Sequence, residues 1–189
     1  MLRPAYPIRT ARLILRAFTP ADLDELNDFQ SRPEVARFLY WEPRTREESA
    51  LALETRIRNS TLDREGEFLA VAVELAETGQ LIGDLNLQWL SRAHRQGEFG
   101  FVFHPDHQGR GYARESATEL LRLGFEELGL HRICGRCDAR NTASWGLMER
   151  LGMRREAHLR EAEVFKGEWG DEFVYAMLED EWKSRCGTM

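Results

Sequence analysis

Cysteine is scarce in this chain, with three residues among 189. A small and odd number argues against the disulfide framework of a small secreted fold and fits a reducing compartment. Long apolar runs are also lacking, because no stretch approaches the roughly 20 residues that a membrane helix needs. Residues 1–12 do not contain the apolar centre of a signal peptide. We therefore expect a cytoplasmic protein with no membrane partner.

An excess of positive charge is missing as well. The chain carries 26 Lys and Arg against 32 Asp and Glu, a formal net charge of −6. Broad nucleic-acid binding needs a basic surface that displaces counterions, so we expect no nucleic-acid partner. The acidic balance suits a cationic ligand, although solubility alone also accounts for it. The length fits a single domain over residues 1–189, with a core of about 8–180.

Two pairs of metal-binding residue types fall short of a metal site. Cys134 and Cys137 form C-x-x-C, but there is no second ligand pair at similar spacing. On a strand, residues three apart point to opposite faces, so these thiols would not converge. His104 and His107 form H-x-x-H without a nearby third ligand, and we interpret them as loop residues beside a bound anion. We expect no metal.

Local patterns in the first half predict helices followed by strands. Thr19-Pro20-Ala21-Asp22 has the composition of a helix start, and apolar residues at three-residue spacing continue it. A second amphipathic helix is predicted from residue 46 to about 59. Three strand patterns separated by short turns then predict an antiparallel meander, at residues 68–75, 81–87 and 97–103.

In the second half the apolar period changes from two to about 3.6 residues. The pattern predicts a helix over residues 112–128 that is ended by Gly129. The remaining predicted elements are a strand at 132–137, a helix at 142–151, and two closing strands at about 155–165 and 173–178 joined by a turn at 166–171. The succession predicts one α+β domain.

The most informative motif joins the last strand of the meander to the following helix. It reads His104-Pro105-Asp106-His107-Gln108-Gly109-Arg110-Gly111-Tyr112-Ala113. The first amides of a helix have no intrahelical partner and lie at the positive end of its dipole, so they attract anions. Gly109 and Gly111 put no Cβ in the way of a phosphate, and Arg110 adds positive charge. The run predicts a cradle for a pyrophosphate.

Three phosphate-loop patterns compete for this run. The dinucleotide fingerprint G-x-G-x-x-G needs glycine where Arg114 stands, and the P-loop run G-x-x-x-x-G-K-[ST] does not occur. The third pattern, Q/R-x-x-G-x-G/A, is matched by Gln108, Gly111 and Ala113.

With this loop, the chain resembles the GCN5-related N-acetyltransferase (GNAT) superfamily over nearly its whole length. It resembles most the branch that acetylates ribosomal-protein N-termini (RimJ/RimL-like). Residues 10–16 are similar to the opening strand of that branch, residues 97–113 to its central motif, and residues 141–153 to its second motif. The resemblance implies a GNAT fold of class α+β: a mixed, mostly antiparallel sheet of about 6–7 strands, with strands 4 and 5 splayed and about four flanking helices.

The resemblance further implies an acetyl-CoA-dependent N-acetyltransferase that works by direct attack in a ternary complex. The pantetheine arm would enter the gap between the splayed strands, and loop amides would hold the pyrophosphate. Asn141 would hydrogen-bond CoA from the far side, or act only as a helix cap. The expected CoA-binding residues are Phe101, Val102, Phe103, Gln108, Gly109, Arg110, Gly111, Tyr112, Ala113, Asn141 and Ser144.

Catalysis needs a proton donor for the leaving thiolate and a route for the proton of the amine. Many relatives carry a tyrosine where this chain has Met148, which cannot donate a proton. The ribosomal-protein branch instead carries a serine at the position of Ser144, whose structural alternative is a polar residue in the first turn of a helix. Glu98 and Glu163 compete as the base and Asp84 is a weaker third, while each acid is otherwise ordinary strand surface. Water alone also serves an N-terminal amine with a pKa near ~8.

The acceptor is open between a protein N-terminus and a small amine such as an antibiotic. Its expected pocket comprises residues 38–46, Trp89 and residues 166–171, whose aromatic residues either clasp a substrate or pack. The resemblance is compatible with a homodimer. Because Met148 replaces the tyrosine, a different class of protein also stays open, a non-catalytic acyl-CoA-binding module.

Overall fold

The computed structural model describes residues 1–186, and only the backbone of Cys186. Its strands are β1 (Ile8–Arg9), β2 (Leu13–Arg16), β3 (Phe68–Leu75), β4 (Leu81–Ser91), β5 (Gln96–Phe103), β6 (Arg132–Asp138), β7 (Arg154–Phe165) and β8 (Glu168–Leu178). Its α-helices are α1 (Leu23–Gln30), α2 (Pro33–Ala36), α3 (Arg46–Arg58), α4 (Tyr112–Arg122), α5 (Thr142–Arg150) and α6 (Glu179–Cys186). None of these helices is long and apolar enough to cross a membrane.

All eight strands of the described range belong to one sheet in the order β1-β2-β3-β4-β5-β6-β8-β7. Every neighbouring pair is antiparallel except β5 and β6, which are parallel. The predicted meander is therefore confirmed as β3-β4-β5, and so is the α+β class. The described residues form one sheet of eight strands, where about six or seven were predicted, and six α-helices, where about four were predicted.

Helices cover both faces of the sheet, and β3 shows why. Its residues are nearly all buried, because alternate side chains enter two different cores. Leu69 and Val71 belong to the larger core, which also contains Ala117 and other residues of α4. Ala70 and Ala72 belong to a smaller core under α1 and α3. The sheet therefore has a separate hydrophobic core on each face, the larger one under α4 and the smaller one under α1 and α3.

The predicted turn at residues 166–171 is wrong in length. β7 and β8 run almost to the tip of their hairpin, so only Lys166 and Gly167 form the turn. Both have positive φ, 48° and 86°, as two-residue hairpin turns require. β7 lies within one residue of its predicted range of about 155–165, but β8 begins at Glu168, five residues before its predicted start at residue 173. This extension contains Glu168, Asp171 and Glu172. Apolar alternation is therefore absent where β8 extends.

The C-terminal helix α6 has a polar sequence and is not predicted from it. Trp182 is the one buried residue of the range 179–185. Its ring stacks on Phe125 with 5.7 Å between the ring centroids, and its Nε1 donates to Glu126 Oε1 at 2.8 Å. Phe125 and Glu126 lie in a π-helical turn, Leu123–Glu127, that extends α4. Trp182 thus packs α6 against the α4 side of the sheet, and ion pairs of Glu179 with Arg95 and of Glu181 with Arg154 add to this attachment.

We predict that Trp182→Ala lowers the free energy of unfolding by about 3–5 kcal/mol, as expected for removal of a buried aromatic side chain. Urea unfolding followed by far-UV circular dichroism measures this without relying on tryptophan fluorescence. Trp169→Ala is the matched control, because Trp169 is 64% exposed and its removal should change stability by less than about 0.5 kcal/mol. Equal unfolding midpoints for the two variants would contradict the anchoring role of Trp182.

Candidate active site

The parallel strands β5 and β6 pair over three residues only, ending at Glu98 and Cys134. Beyond Glu98, β5 pairs with β4 alone, although both β5 and β6 continue to Phe103 and Asp138. The β6-facing backbone groups at the end of β5 therefore have no strand partner. The strands diverge into a gap, as expected of the fourth and fifth predicted strands, which are β5 and β6 here. This gap has free backbone hydrogen-bonding groups for an extended ligand.

Aromatic side chains fill one side of the gap. A Cβ on Gly135 of β6 would lie 2.6 Å from Cε1 of Phe99 and 2.8 Å from Sδ of Met148. Glycine is therefore required where the Phe99 ring crosses β6. The ring of Phe101 lies 5.7 Å from that of Phe99, and both pack against the larger core. This side of the gap, towards α4 and α5, is apolar.

An anion cradle follows directly at the end of β5. Gly109 and Gly111 adopt left-handed conformations, with φ of 74° and 82°, and α4 begins at Tyr112. In the described chain, the backbone N–H groups from Gly109 to Arg114 donate to no protein acceptor. Successive unpaired amides at the positive end of a helix bind phosphate groups. The loop and the adjacent gap therefore fit the pyrophosphate and the pantetheine arm of CoA.

His104 attaches this loop to α1. Its ring is buried, with Nε2 2.7 Å from Oδ2 of Asp28, and its Nδ1 accepts the backbone N–H of Asp106 at 3.1 Å. Both ring nitrogens are engaged by protein groups, so His104 holds the loop in place and offers no free nitrogen to a phosphate. That it lies beside a bound anion stays a prediction. Burial, followed by the proximity of His104 and Arg110, lowers the pKa of His107, which favours its neutral form.

Asn141 and Ser144 lie at the start of α5. Asn141 Oδ1 accepts the backbone N–H of Ser144 at 3.1 Å, so its cap role is confirmed. This bond uses the oxygen and leaves the side-chain N–H₂ of Asn141 for a ligand. Ser144 is buried, and its hydroxyl is hydrogen-bonded to the Cys137 thiol, whose pKa burial raises to about 11.

Glu98 lies on the other face of the sheet from Ser144. Its carboxylate is 3.8 Å from the Cys134 thiol and 3.4 Å from the Arg136 guanidinium. Because Cys134 contacts Glu98 while Cys137 contacts Ser144, the two thiols diverge as predicted. Within residues 1–186 no group of three or more His, Cys, Asp or Glu could hold a metal. The divergence gives the gap an acidic group on one face and a hydroxyl on the other.

The environment of Glu98 makes it a stronger proton acceptor than an ordinary glutamate. Burial raises its pKa, and this effect exceeds the opposing effects of Arg136 and the Cys134 thiol. Glu172 on β8 adds to the rise in the pKa of Glu98, and it pairs with Arg136 at 3.3 Å. Sequence reasoning missed Glu172, because it lies before the predicted start of that strand, and it missed Arg136 as well.

The other two predicted bases are already engaged. Glu163 is exposed on β7 and accepts the hydroxyl of Tyr40 at 2.6 Å, which raises the pKa of Tyr40 to about 12. Asp84 is buried on β4, where Nε and Nη2 of Arg56 lie 2.6 and 2.5 Å from its Oδ2. Of the three acids, Glu98 is the one whose strand borders the gap.

Of the three segments expected to form the acceptor pocket, residues 38–46 and the β7–β8 hairpin lie in contact, and Trp89 lies elsewhere. Lys166, at the hairpin tip, donates to the carbonyls of Ala36 and Trp41 at 2.9 and 3.2 Å. The ring of Tyr40 lies edge-on to Phe165, with 5.5 Å between their centroids. Residues 38–46 and the β7–β8 hairpin are therefore in contact. Trp89 is buried in the larger core instead, so the prediction that it lines the acceptor pocket is wrong.

A splayed parallel pair beside an anion cradle defines an acyl-CoA-dependent transferase. Comparison with known proteins identifies the family, since the model of the Acetyltransferase (GNAT) domain matches residues 12–154. The chain is 33% identical over 175 residues to an uncharacterized N-acetyltransferase, YnaD, of Bacillus subtilis, covering 93% of this chain and 98% of the relative. The chain belongs to the GNAT acetyltransferase family and is an acetyl-CoA-dependent N-acetyltransferase.

Solved structures agree with this membership. A GNAT-family acetyltransferase from Bacillus anthracis is 30% identical, with a TM-score of 0.83 over 92% of this chain and 99% of that chain. The spermidine N-acetyltransferase from Vibrio cholerae, solved in complex with CoA and spermine, is 26% identical, with a TM-score of 0.77 over 92% and 99%. Similarity therefore extends over nearly the whole chain.

We predict that Glu98→Gln does not destabilise the fold at neutral pH. A carboxyl group whose folded-state pKa is raised above its ordinary value of 4.5 binds its proton more tightly when folded. Stability of the unmodified protein therefore falls as the pH rises from about that value through the raised pKa. Glu98→Gln should flatten this fall in urea titrations between acidic and neutral pH. Glu54→Gln, on the exposed face of α3, should keep the slope of the unmodified protein; an unchanged slope in Glu98→Gln would contradict the buried environment.

Proposed function

We propose that this enzyme acetylates a small primary amine that carries more than one positive charge. The observation that carries the proposal is the charge on the Glu98 face of the gap. Glu98, Glu163 and Glu172 contribute three carboxylates there, and the Arg136 guanidinium pairs with Glu98 and Glu172. Tyr40 lies close to these charges, because Glu163 and Glu172 raise the pKa of its hydroxyl group and Arg136 lowers it. The relative from Vibrio cholerae that was solved with CoA and spermine supports the same acceptor class.

Acetyl-CoA is proposed to bind through the two features beside β5. Backbone groups of Phe101 and Phe103 pair with the pantetheine arm, because this part of β5 has no partner on the β6 side, whereas the backbone of Val102 is directed towards Asp84 of β4. The pyrophosphate is held by the free amides of the loop, from Gly109 through Arg110, Gly111 and Tyr112 to Ala113, whereas the Gln108 N–H donates to the Pro105 carbonyl at 3.1 Å. Asn141 donates its side-chain N–H₂ from the β6 side, which its capping bond leaves available.

The proposed chemistry places the proton acceptor and the proton donor on opposite faces of the gap. Glu98 removes a proton from the ammonium group, directly or through water, and the neutral amine attacks the thioester carbonyl. The new C–N bond forms, a backbone amide near Val102 stabilises the oxyanion, and the nitrogen, which is positively charged after the attack, releases its second proton to water. The C–S bond then breaks, and the thiolate takes the hydroxyl proton of Ser144, which solvent replaces.

Glu98 is preferred as the base for two physical reasons. Its raised pKa brings its proton affinity closer to that of an amine, which proton transfer requires. Glu163 is hydrogen-bonded by Tyr40 and Asp84 is paired with Arg56, so each has a different task. We propose that Glu163 helps to position the loop at Tyr40 and attracts the cationic acceptor, rather than taking its proton.

Several predictions from the sequence remain open beside this proposal. Membership of the branch that acetylates ribosomal-protein N-termini stays a prediction, and a peptide acceptor tests it. The single-domain organisation over residues 1–189, the cytoplasmic location and the homodimer also stay predictions. The alternative of a non-catalytic acyl-CoA-binding module is not supported, because the chain belongs to a family of N-acetyltransferases.

We predict that Ser144→Ala lowers kcat by about 10²-fold or more, as loss of a general acid does. The dissociation constant for acetyl-CoA should stay within about twofold, because the loop amides are untouched. Thiol release measures kcat and isothermal titration measures binding. Thr142→Ala is the matched control, as Thr142 is exposed in the same turn of α5. Unchanged turnover in Ser144→Ala would remove Ser144 from the mechanism.

We predict that kcat/KM rises with acceptor charge in the order monoamine, diamine, triamine, because additional ammonium groups meet the carboxylates. Free CoA is the readout for alkylamines, polyamines, aminoglycosides and N-terminal peptides. Glu172→Gln should raise KM for a triamine and leave KM for a monoamine unchanged. Glu77→Gln, on the exposed turn after β3, should change neither. Turnover of peptides alone, or equal kcat/KM for monoamine, diamine and triamine, would reject the polycation proposal.

A further inference from the structure

We infer that Arg12 is a positioning residue for the acetyl donor, because it fixes the direction of the Gly111 N–H in the anion cradle. The inference rests on the proposed role of residues 109–113 as the pyrophosphate site. Arg12 lies directly before β2, far along the chain from the loop, and no sequence motif for phosphate binding includes it. Its effect is therefore exerted through the loop and does not require contact with the donor.

Arg12 and Glu115 join the start of β2 to the first turn of α4. The backbone N–H of Arg12 donates to Glu115 Oε1 at 2.8 Å. Its Nε and Nη2 reach Glu115 Oε2 at 2.8 and 2.7 Å. Thr10 Oγ1 also donates to Oε1, at 2.6 Å. This carboxylate is thus held by four donor groups, which ties α4 to the sheet at its N-terminus.

The remaining guanidinium nitrogen of Arg12 acts on the loop itself. Nη1 donates to the carbonyl oxygen of Arg110 at 2.9 Å. In a trans peptide the C=O and the following N–H point in opposite directions. Holding the Arg110 carbonyl towards Arg12 therefore aims the Gly111 N–H away from it, to the side where the unpaired amides of the loop are free for a ligand.

The left-handed conformation favours glycine at residue 111, and Arg12 lies close to it. The φ of Gly111 is 82°, and a Cβ there would lie 3.3 Å from Nη2 of Arg12. The guanidinium also lies 4.7 Å from the ring centre of Tyr112, the first residue of α4. Arg12 thus contacts Arg110, Gly111 and Tyr112 in succession. The cradle is ordered before the donor arrives, which saves the free energy of ordering it on binding.

The charge of Arg12 is largely balanced inside this cluster. Although burial opposes it, hydrogen bonds from Thr10 and Arg12 lower the pKa of Glu115, so Glu115 is ionised at neutral pH. Direct attraction between Arg12 and a phosphate is correspondingly weak. Lysine cannot replace Arg12, because its single ammonium group cannot contact the Glu115 carboxylate through two nitrogens and the Arg110 carbonyl through a third.

The test compares two donors in Arg12→Lys. Acetyl-CoA carries the pyrophosphate, whereas S-acetylpantetheine lacks it. We expect kcat/KM for acetyl-CoA to fall about tenfold, the effect of about 1.4 kcal/mol, mostly through KM. The value for S-acetylpantetheine should stay within about twofold. Arg9→Lys, an exposed arginine on β1, is the matched control and should change neither value. Circular dichroism and the unfolding midpoint verify that each variant is folded.

Every outcome separates this inference from the proposed function. An equal loss with both donors would make Arg12 a purely structural residue, and no loss with either would also overturn the inference. If the unmodified enzyme uses both donors equally well, the pyrophosphate cradle itself fails. Should Arg12→Lys not fold, Thr10→Val removes one donor from Glu115 and keeps the β-branched shape. It should then show a smaller effect, again confined to acetyl-CoA.

Discussion

The early end of backbone pairing between β5 and β6 is the constraint on which the site depends. After Glu98 and Cys134 the two strands share no hydrogen bonds, although both continue. Backbone groups buried without a partner are costly, so such a gap persists only where a ligand or water satisfies them. The gap between the strands, the loop after β5 and the cap of α5 all lie around this break, so one local irregularity organises the proposed donor site.

The break also separates the two faces of the sheet chemically. Residues of odd number on β5 and β6 face the larger core, where Phe99 crosses Gly135 and the Ser144 hydroxyl meets Cys137. Residues of even number face the other side, where Glu98 and Arg136 lie. Because side chains alternate along a strand, the apolar side chains of the proposed acetyl-CoA site lie on one face and the charged side chains of the proposed amine site lie on the other.

The sequence predicts the donor half better than the acceptor half. The meander, the loop at residues 104–113 and the cap at Asn141 are local patterns, in which residue type dictates backbone shape, and the fold confirms them. The hairpin extends beyond its predicted strands, Trp89 is core, and Glu172 and Arg136 were missed. These features depend on which strands become neighbours, a long-range property that neither periodicity nor propensity encodes. Trp182 was missed for the same reason, since α6 is polar apart from that contact.

The bridge made by Lys166 carries an evolutionary consequence. A hairpin tip reaches a loop some 130 positions earlier through two carbonyl contacts, with one exposed tyrosine beside them. Substitutions in either segment disturb little buried surface, whereas substitutions around Phe99 or Gly135 disturb the core directly. In a family with this architecture, substitutions are therefore tolerated best in the loop at residues 38–46 and at the hairpin tip, the segments proposed to receive the amine. Related enzymes can acquire new amines while keeping one inherited way of holding the donor.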